Sequence, residues 1–170
     1  MLKLIYAITD GLSRAASRLA DVSVAVLVCA MVYEVAARYL FDAPTEWAFD
    51  IAYMSNGAIF LLGLGWVLRQ DGHIRIDVIR KKIPSSITRV SDSLVYLVIL
   101  MPLFGLLSRI AINKTIHAWQ INEVETVSPW APFMWPFYLI ISVGLVVLTL
   151  QFLAQGLRSA FGDSTPGEAA

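Results

Sequence analysis

The side chains that could do chemistry in this 170-residue sequence are few, and most lie beside apolar stretches. Glu34 and Arg38 are four residues apart, so in a helix they share one face and can pair. Glu34 could couple proton movement to export, or the pair could belong to a charged surface that contacts a partner. A coupling role requires an unpaired carboxylate deep in a helix bundle, and the neighbouring Arg38 argues against it.

Histidine and cysteine offer little for a cofactor or a metal. His73 and His117 are the two histidines, and the apolar segments described next place them on opposite sides of a membrane, where they cannot ligate one haem. The single Cys29 cannot form an internal disulfide or a thiolate metal site, and we interpret it as a small core residue. The sequence therefore predicts no catalytic residue, no cofactor, no metal site and no enzyme activity.

Four apolar segments must position these residues, at about residues 19–40, 47–68, 90–112 and 133–157. A helix of about 20 apolar residues crosses a hydrocarbon core of about 30 Å. Hydrophobic residues make up 58% of the chain and charged residues 15%, with a mean hydropathy of +0.68, which is typical of membrane proteins. The formal net charge of zero gives no indication of a nucleic-acid partner. We predict an all-α membrane protein in which residues 1–170 form a single domain of four transmembrane helices.

Two further segments are amphipathic. Before the first span, apolar residues recur at helical spacing from Leu4 to Leu19, opposite a polar side with Thr9, Asp10 and Ser13, which predicts an interfacial helix that leads into this span. Between the second and third spans, Ile76, Ile79 and Ile83 fall on one helical side. This pattern predicts a short cytoplasmic helix on the inner membrane surface. Pro102 inside the third span predicts a kink.

The distribution of basic residues predicts the orientation. Ten Lys and Arg residues lie before the first span, between the second and third, or after the fourth, and three lie on the other side (Arg38, Arg109 and Lys114). Short loops rich in Lys and Arg stay cytoplasmic. Both termini are therefore predicted to be cytoplasmic, with loops 41–46 and 113–132 outside.

The second span carries the features of a contact surface. Asp42, Glu46 and Asp50 cluster at its outer start, where acidic groups complement the helix dipole or contact a partner. Asn56 is its most central polar side chain. Four small residues lie near the same stripe: Ala48, Ala52, Ser55 and Gly63. Small residues allow close helix approach and Asn can bond across the contact, either within the four helices or against another subunit.

Several of these residues also form motifs. They are Arg38-Tyr39-Leu40-Phe41, Glu46-Trp47, Gly63-X-Gly65 and Leu68-Arg69-X-Asp71-Gly72-His73-Ile74-Arg75-Ile76-Asp77. With these motifs, its length and its four spans, the whole chain resembles the small membrane subunit of tripartite ATP-independent periplasmic (TRAP) transporters. The last motif is the most specific one.

The resemblance implies a scaffold subunit in a sodium-coupled secondary transporter that imports organic acids across the bacterial inner membrane. A large membrane subunit would carry the substrate and sodium sites, and a periplasmic binding protein would deliver the substrate. The small subunit would contact both partners and membrane lipid. The alternative is a self-sufficient four-helix proton-coupled exporter. The candidate interface or motif residues are Arg38, Asp42, Glu46, Trp47, Asn56, Gly63, Arg69, Gly72, His73, Arg75 and Asp77.

Overall fold

The computed structural model describes residues 2–70 and 85–161, with side chains described for 4–70 and 90–161. Four of its helical stretches are long and apolar enough to cross a membrane, which confirms the predicted all-α fold with four spans. The helices are α1 (Leu2–Phe41), α2 (Ala48–Arg69), α3 (Ser85–Leu94), α4 (Met101–Gln120) and α5 (Trp135–Phe161). A π-helical stretch, Val95–Leu100, joins α3 to α4, and these three pieces make the third span. The short helix expected from Ile76 to Ile83 lies outside the described residues.

Helix α1 is continuous over 40 residues, or about 60 Å. The amphipathic N-terminal segment is therefore not a separate helix but the first half of α1. Its small and polar side is buried against α2 and α5, through Tyr6, Thr9, Ser13, Ala16 and Ala20, and its large apolar side chains are exposed. This arrangement suits a helix in lipid, where close packing joins helices and apolar side chains face outward.

Helix α5 is the centre of the bundle. It contacts α1, α2 and the third span, whereas the third span packs mainly on α5. Gly144 allows the closest approach of α2, because a Cβ at this position would lie 2.9 Å from the Cβ of Leu61 and 3.1 Å from its carbonyl carbon. Two apolar clusters fill the interior: Ala16, Ala20, Ala58, Leu62 and Val147, and then Leu68, Leu148 and Phe152.

The third span is irregular where Pro102 predicted a kink. The Met101 N–H donates to the Tyr96 carbonyl five residues back, so the helix widens into a π turn just before the proline. Proline lacks an N–H and its ring crowds the preceding turn, and a widened turn relieves both problems. The helix then continues to Gln120, eight residues past the predicted end of the span, so residues 113–120 are helical.

The loop between α4 and α5 is short and closed. Asn122 adopts a left-handed conformation (φ 49°), and the Glu123 N–H donates to the Ala118 carbonyl at 2.9 Å, which ends α4 in a Schellman turn. Val124 and Phe133 then pair as an antiparallel bridge. These bonds bring the loop ends together and direct its tip over the start of α2.

Candidate partner interface

Glu34 fastens the connection between α1 and α2. Its Oε1 accepts a bond from Arg38 Nε at 2.8 Å, and the Arg38 Nη2 contacts the same oxygen. Its Oε2 accepts bonds from the Thr45 N–H at 2.9 Å and from the Thr45 hydroxyl. The predicted pair with Arg38 is therefore present, and both carboxylate oxygens are occupied. Glu34 holds a loop in place, which is the opposite of the free carboxylate that a proton-coupled exporter would use.

Asp42 and Glu46 lie on either side of Thr45, which is bonded to Glu34. Asp42 is exposed and in a left-handed conformation (φ 50°) that ends α1, and the following Ala43 N–H donates to the Ala37 carbonyl at 3.0 Å. Glu46 is exposed just before α2. Arg38 pairs with Glu34 and, among the described residues, makes no ion pair with Asp42 or Glu46. The three residues therefore share the outer end of the molecule without forming one ionic cluster.

The tip of the loop between α4 and α5 is bonded to the outer end of α2. Ser128 donates to the carboxylate of Asp50, which is only 2% exposed. The Tyr53 hydroxyl donates to Glu125 at 3.2 Å. Asp50, predicted as a helix-dipole partner, is thus a buried acceptor for the loop. A groove of about 390 Å³ remains between loop and helix, lined by Glu46, Phe49, Asp50, Tyr53, Glu125, Val127, Ser128 and Pro129.

Trp47 faces α1 rather than the outer surface. Its ring stacks on Tyr33 with centroids 5.6 Å apart. Together with Trp130 these rings line an open apolar groove of about 680 Å³ along α1. Cys29 lines this groove and is exposed, so its interpretation as a core residue is wrong.

The small-residue stripe of α2 divides between two faces. Ala48 and Ser55 are buried inside the bundle, whereas Asn56 is exposed and a Cβ on Gly63 would meet nothing within 4 Å. The outward face around Asn56 also carries two large exposed rings, Phe49 and Phe60. The buried face instead joins Ala58 and Leu62 to the core cluster. Asn56 and Gly63 are therefore available to contact another chain.

At the opposite end of the bundle, an ionic network joins α1, α2 and α5. Asp10 Oδ2 lies 2.9 Å from Arg158 Nη2 and 3.1 Å from Arg69 Nε. Gln151 Nε2 lies 3.5 Å from Asp10 Oδ1, and Ser13 donates to Gln151 Oε1 at 3.0 Å. One carboxylate thus faces two guanidinium groups, and Arg158 is only 4% exposed.

This network is the feature that reading the sequence missed. The sequence pattern predicts only that Asp10 lies on the polar side of an interfacial helix and that Arg158 adds to the charge asymmetry. The two are 148 positions apart, and no local spacing relates them. Arg69, a motif residue, also stacks on Trp66 with its Cζ 4.7 Å from the ring centroid. The other motif residues, Gly72, His73, Arg75 and Asp77, lie outside the described part of the chain.

These features define a class: a polytopic helical membrane protein that exposes polar groups along its helices and at its outer end. The model of one protein family, "Tripartite ATP-independent periplasmic transporters, DctQ component", matches residues 12–162. The chain belongs to this family, and it is the small membrane subunit of a TRAP transporter, a transport component and not an enzyme. No curated protein and no solved structure matches the chain.

Proposed function

We propose that this small subunit is the scaffold of a sodium-coupled transporter that imports organic acids across the bacterial inner membrane. Its partners are a large membrane subunit and a periplasmic substrate-binding protein, and both of its termini are cytoplasmic. The large subunit carries the sodium and substrate sites and moves, while this chain remains in place beside it. The family membership supports this proposal, because small subunits of TRAP transporters in general work with a large membrane subunit and a binding protein.

The outward face of α2 is the observation that carries the proposal. Asn56 stands near the middle of a 22-residue membrane helix, is exposed, and makes no hydrogen bond with any described residue. A polar side chain in lipid favours a partner with which it can bond, and open space beside Gly63 admits another helix. A face of this kind suits a subunit that packs against a larger one.

The outer end of the molecule supports docking of the periplasmic protein. Asp42 and Glu46 are exposed there, and Val127 at the loop tip is 88% exposed. The bonds from Glu34 and Asp50 fix the two outer loops to the helices beneath them. A fixed surface is suited to repeated docking because little conformational freedom is lost on binding.

Reconstitution tests the transport role. The chain, the large subunit and the binding protein from one source are purified and combined in proteoliposomes with a sodium gradient. Uptake of a labelled organic acid is expected with all three proteins and not with this chain alone. Robust uptake by the chain alone would favour the self-sufficient exporter instead.

A pair of glycine variants tests the α2 face. Gly63→Leu is expected to leave the thermal stability of the isolated chain unchanged and to reduce its co-purification with the large subunit. Gly144→Leu is the matched control, because its side chain would meet Leu61 inside the bundle and destabilise the isolated chain. Charge reversal at Glu46 is expected to preserve the membrane complex and weaken uptake. Full co-purification of the Gly63→Leu chain would show that this face does not contact the large subunit.

A further inference from the structure

The outward face of the third span carries a stripe of polar side chains. These residues belong neither to the sequence motifs nor to the surface formed by the loops. Arg109, Asn113, His117 and Gln120 are all exposed on α4. At about 100° per residue they fall within roughly 80° of one another around the helix. Three residues on that helix face α5 instead. They are Phe104, whose ring packs against that of Phe152 at an angle of 51°, and Ser108 and Thr115, whose hydroxyls bond Thr149 and Ser142. The polar stripe therefore points away from the rest of the chain.

Arg109 lies close to the middle of the membrane. The exposed Trp119 near the end of α4 marks the outer headgroup level, as Trp does at membrane surfaces. Arg109 is ten residues before it, or about 15 Å, which is half the thickness of a hydrocarbon core. The adjacent Ser108 bonds Thr149 at 3.1 Å, and Thr149 is near the midpoint of α5.

A cation at this depth requires a partner. Arg109 makes no ion pair or hydrogen bond with any residue that the structure describes, and a charged side chain at the bilayer centre is costly. Side chains on a helix tilt toward its N-terminus, so Arg109 points away from the surface that Trp119 marks. Phosphate groups of lipids lie about 15 Å away or more, beyond the reach of the side chain.

We infer that the stripe is a contact surface for a transmembrane helix of the large subunit that presents a carboxylate opposite Arg109. This inference rests on the proposed function, because it takes the large subunit as the partner. The third span is the least covered part of the molecule: within α4, only Ser108 and Ala118 are buried. The side chains of Arg109, Asn113 and His117 lie along one exposed line of α4. Such polar groups bind more favourably to a helix with polar side chains than to lipid. The carboxylate of the partner helix compensates the charge of Arg109 at a depth where water does not solvate it.

Photo-crosslinking tests the contact in the intact complex. A photoreactive amino acid is placed at Asn113, in the stripe, or at Leu107, an exposed control on the other flank of α4, about 120° away. The expected product is an adduct with the large subunit from position 113, at about tenfold higher yield than from position 107. An adduct of two copies of this chain, or no adduct from position 113, would overturn the inference.

Charge variants test the role of Arg109 itself. Arg109→Leu is expected to lower retention of the large subunit about tenfold, because it leaves the opposing carboxylate unpaired, while Arg109→Lys retains most of it. The thermal stability of the isolated chain should be the same for both variants, since Arg109 contacts no described residue. Full retention with Arg109→Leu would refute the ion pair. If the wild-type chain itself fails to retain the large subunit, the proposed function fails and this inference with it; if it retains the subunit without the adduct, only this inference fails.

Discussion

The ionic network that joins α1, α2 and α5 around Asp10 gives the strongest stability prediction. Asp10→Asn keeps the size of the side chain but removes the carboxylate that lies 2.9 Å from Arg158 and 3.1 Å from Arg69. Breaking a buried ion pair costs about 3–5 kcal/mol, because the remaining charge stays buried without a partner. For a chain of this size, where about 1 kcal/mol corresponds to roughly 2–4 °C, the unfolding midpoint should fall by about 10 °C.

The assay is thermal unfolding of the purified chain in detergent, followed by tryptophan fluorescence. Asp21→Asn is the matched control: Asp21 lies on the same helix, is exposed and has no described partner, so its variant should change stability by about 0.5 kcal/mol or less. Adding Arg158→Met to Asp10→Asn should recover part of the loss, since the second change removes one uncompensated cation. An equal midpoint for Asp10→Asn and Asp21→Asn, or strict additivity in the double variant, would refute the reasoning.

Three further outcomes are expected. Glu34→Gln should lower the free energy of unfolding by about 2 kcal/mol in the same assay, since it weakens charge-assisted bonds to the loop after α1; a change no larger than that of Tyr53→Phe would contradict this. Tyr53→Phe removes the hydroxyl that donates to Glu125 in the loop between α4 and α5 and should cost about 1 kcal/mol, and a neutral result would show that this bond does not stabilise the loop. In a Cys29→Ala background, a cysteine at Val127 should react with an impermeant thiol reagent in intact cells and one at Gln70 should not; reaction at position 70 would overturn the predicted orientation.

The hydropathy of each segment was sufficient to predict the architecture of four membrane-spanning helices. Hydropathy over windows of about 20 residues depends on each segment alone, and the observed helices follow the predicted spans within a few residues at most ends. The first helix begins 17 residues before its predicted span because it includes the amphipathic segment, and the third span runs eight residues past its predicted end. Helix α4 continues past Ile112 because the left-handed conformation that ends it occurs at Asn122 and at no earlier residue of α4. Hydropathy marks where a helix leaves the lipid, not where its hydrogen bonds stop.

Which side of each helix faces inward could not be predicted as well. In α1 the sequence pattern separates an apolar side from a polar side. The prediction of an interfacial helix directs the apolar side toward lipid, but it does not say what the polar side contacts. The structure buries both Thr9 and Ser13, and Ser13 contacts Gly65 of α2 and Gln151 of α5. Inside a lipid bilayer, burial depends on the fit between helices and not on hydrophobicity, so the partners of Ser13 follow only from the tertiary structure.

The same distinction separates two kinds of polar residue within the membrane helices. Asp10, Ser13 and Gln151 are satisfied by one another or by other residues of the bundle, so their role is to fix the positions of α1, α2 and α5. Asn56 and Arg109 face outward near mid-depth, on α2 and α4, and have no partner among the described residues. Polar groups in lipid are expensive when unpaired, so a chain that exposes both on its surface is stabilised by association. That cost is the physical basis of the proposal that the outward faces of this subunit pack against a second membrane protein.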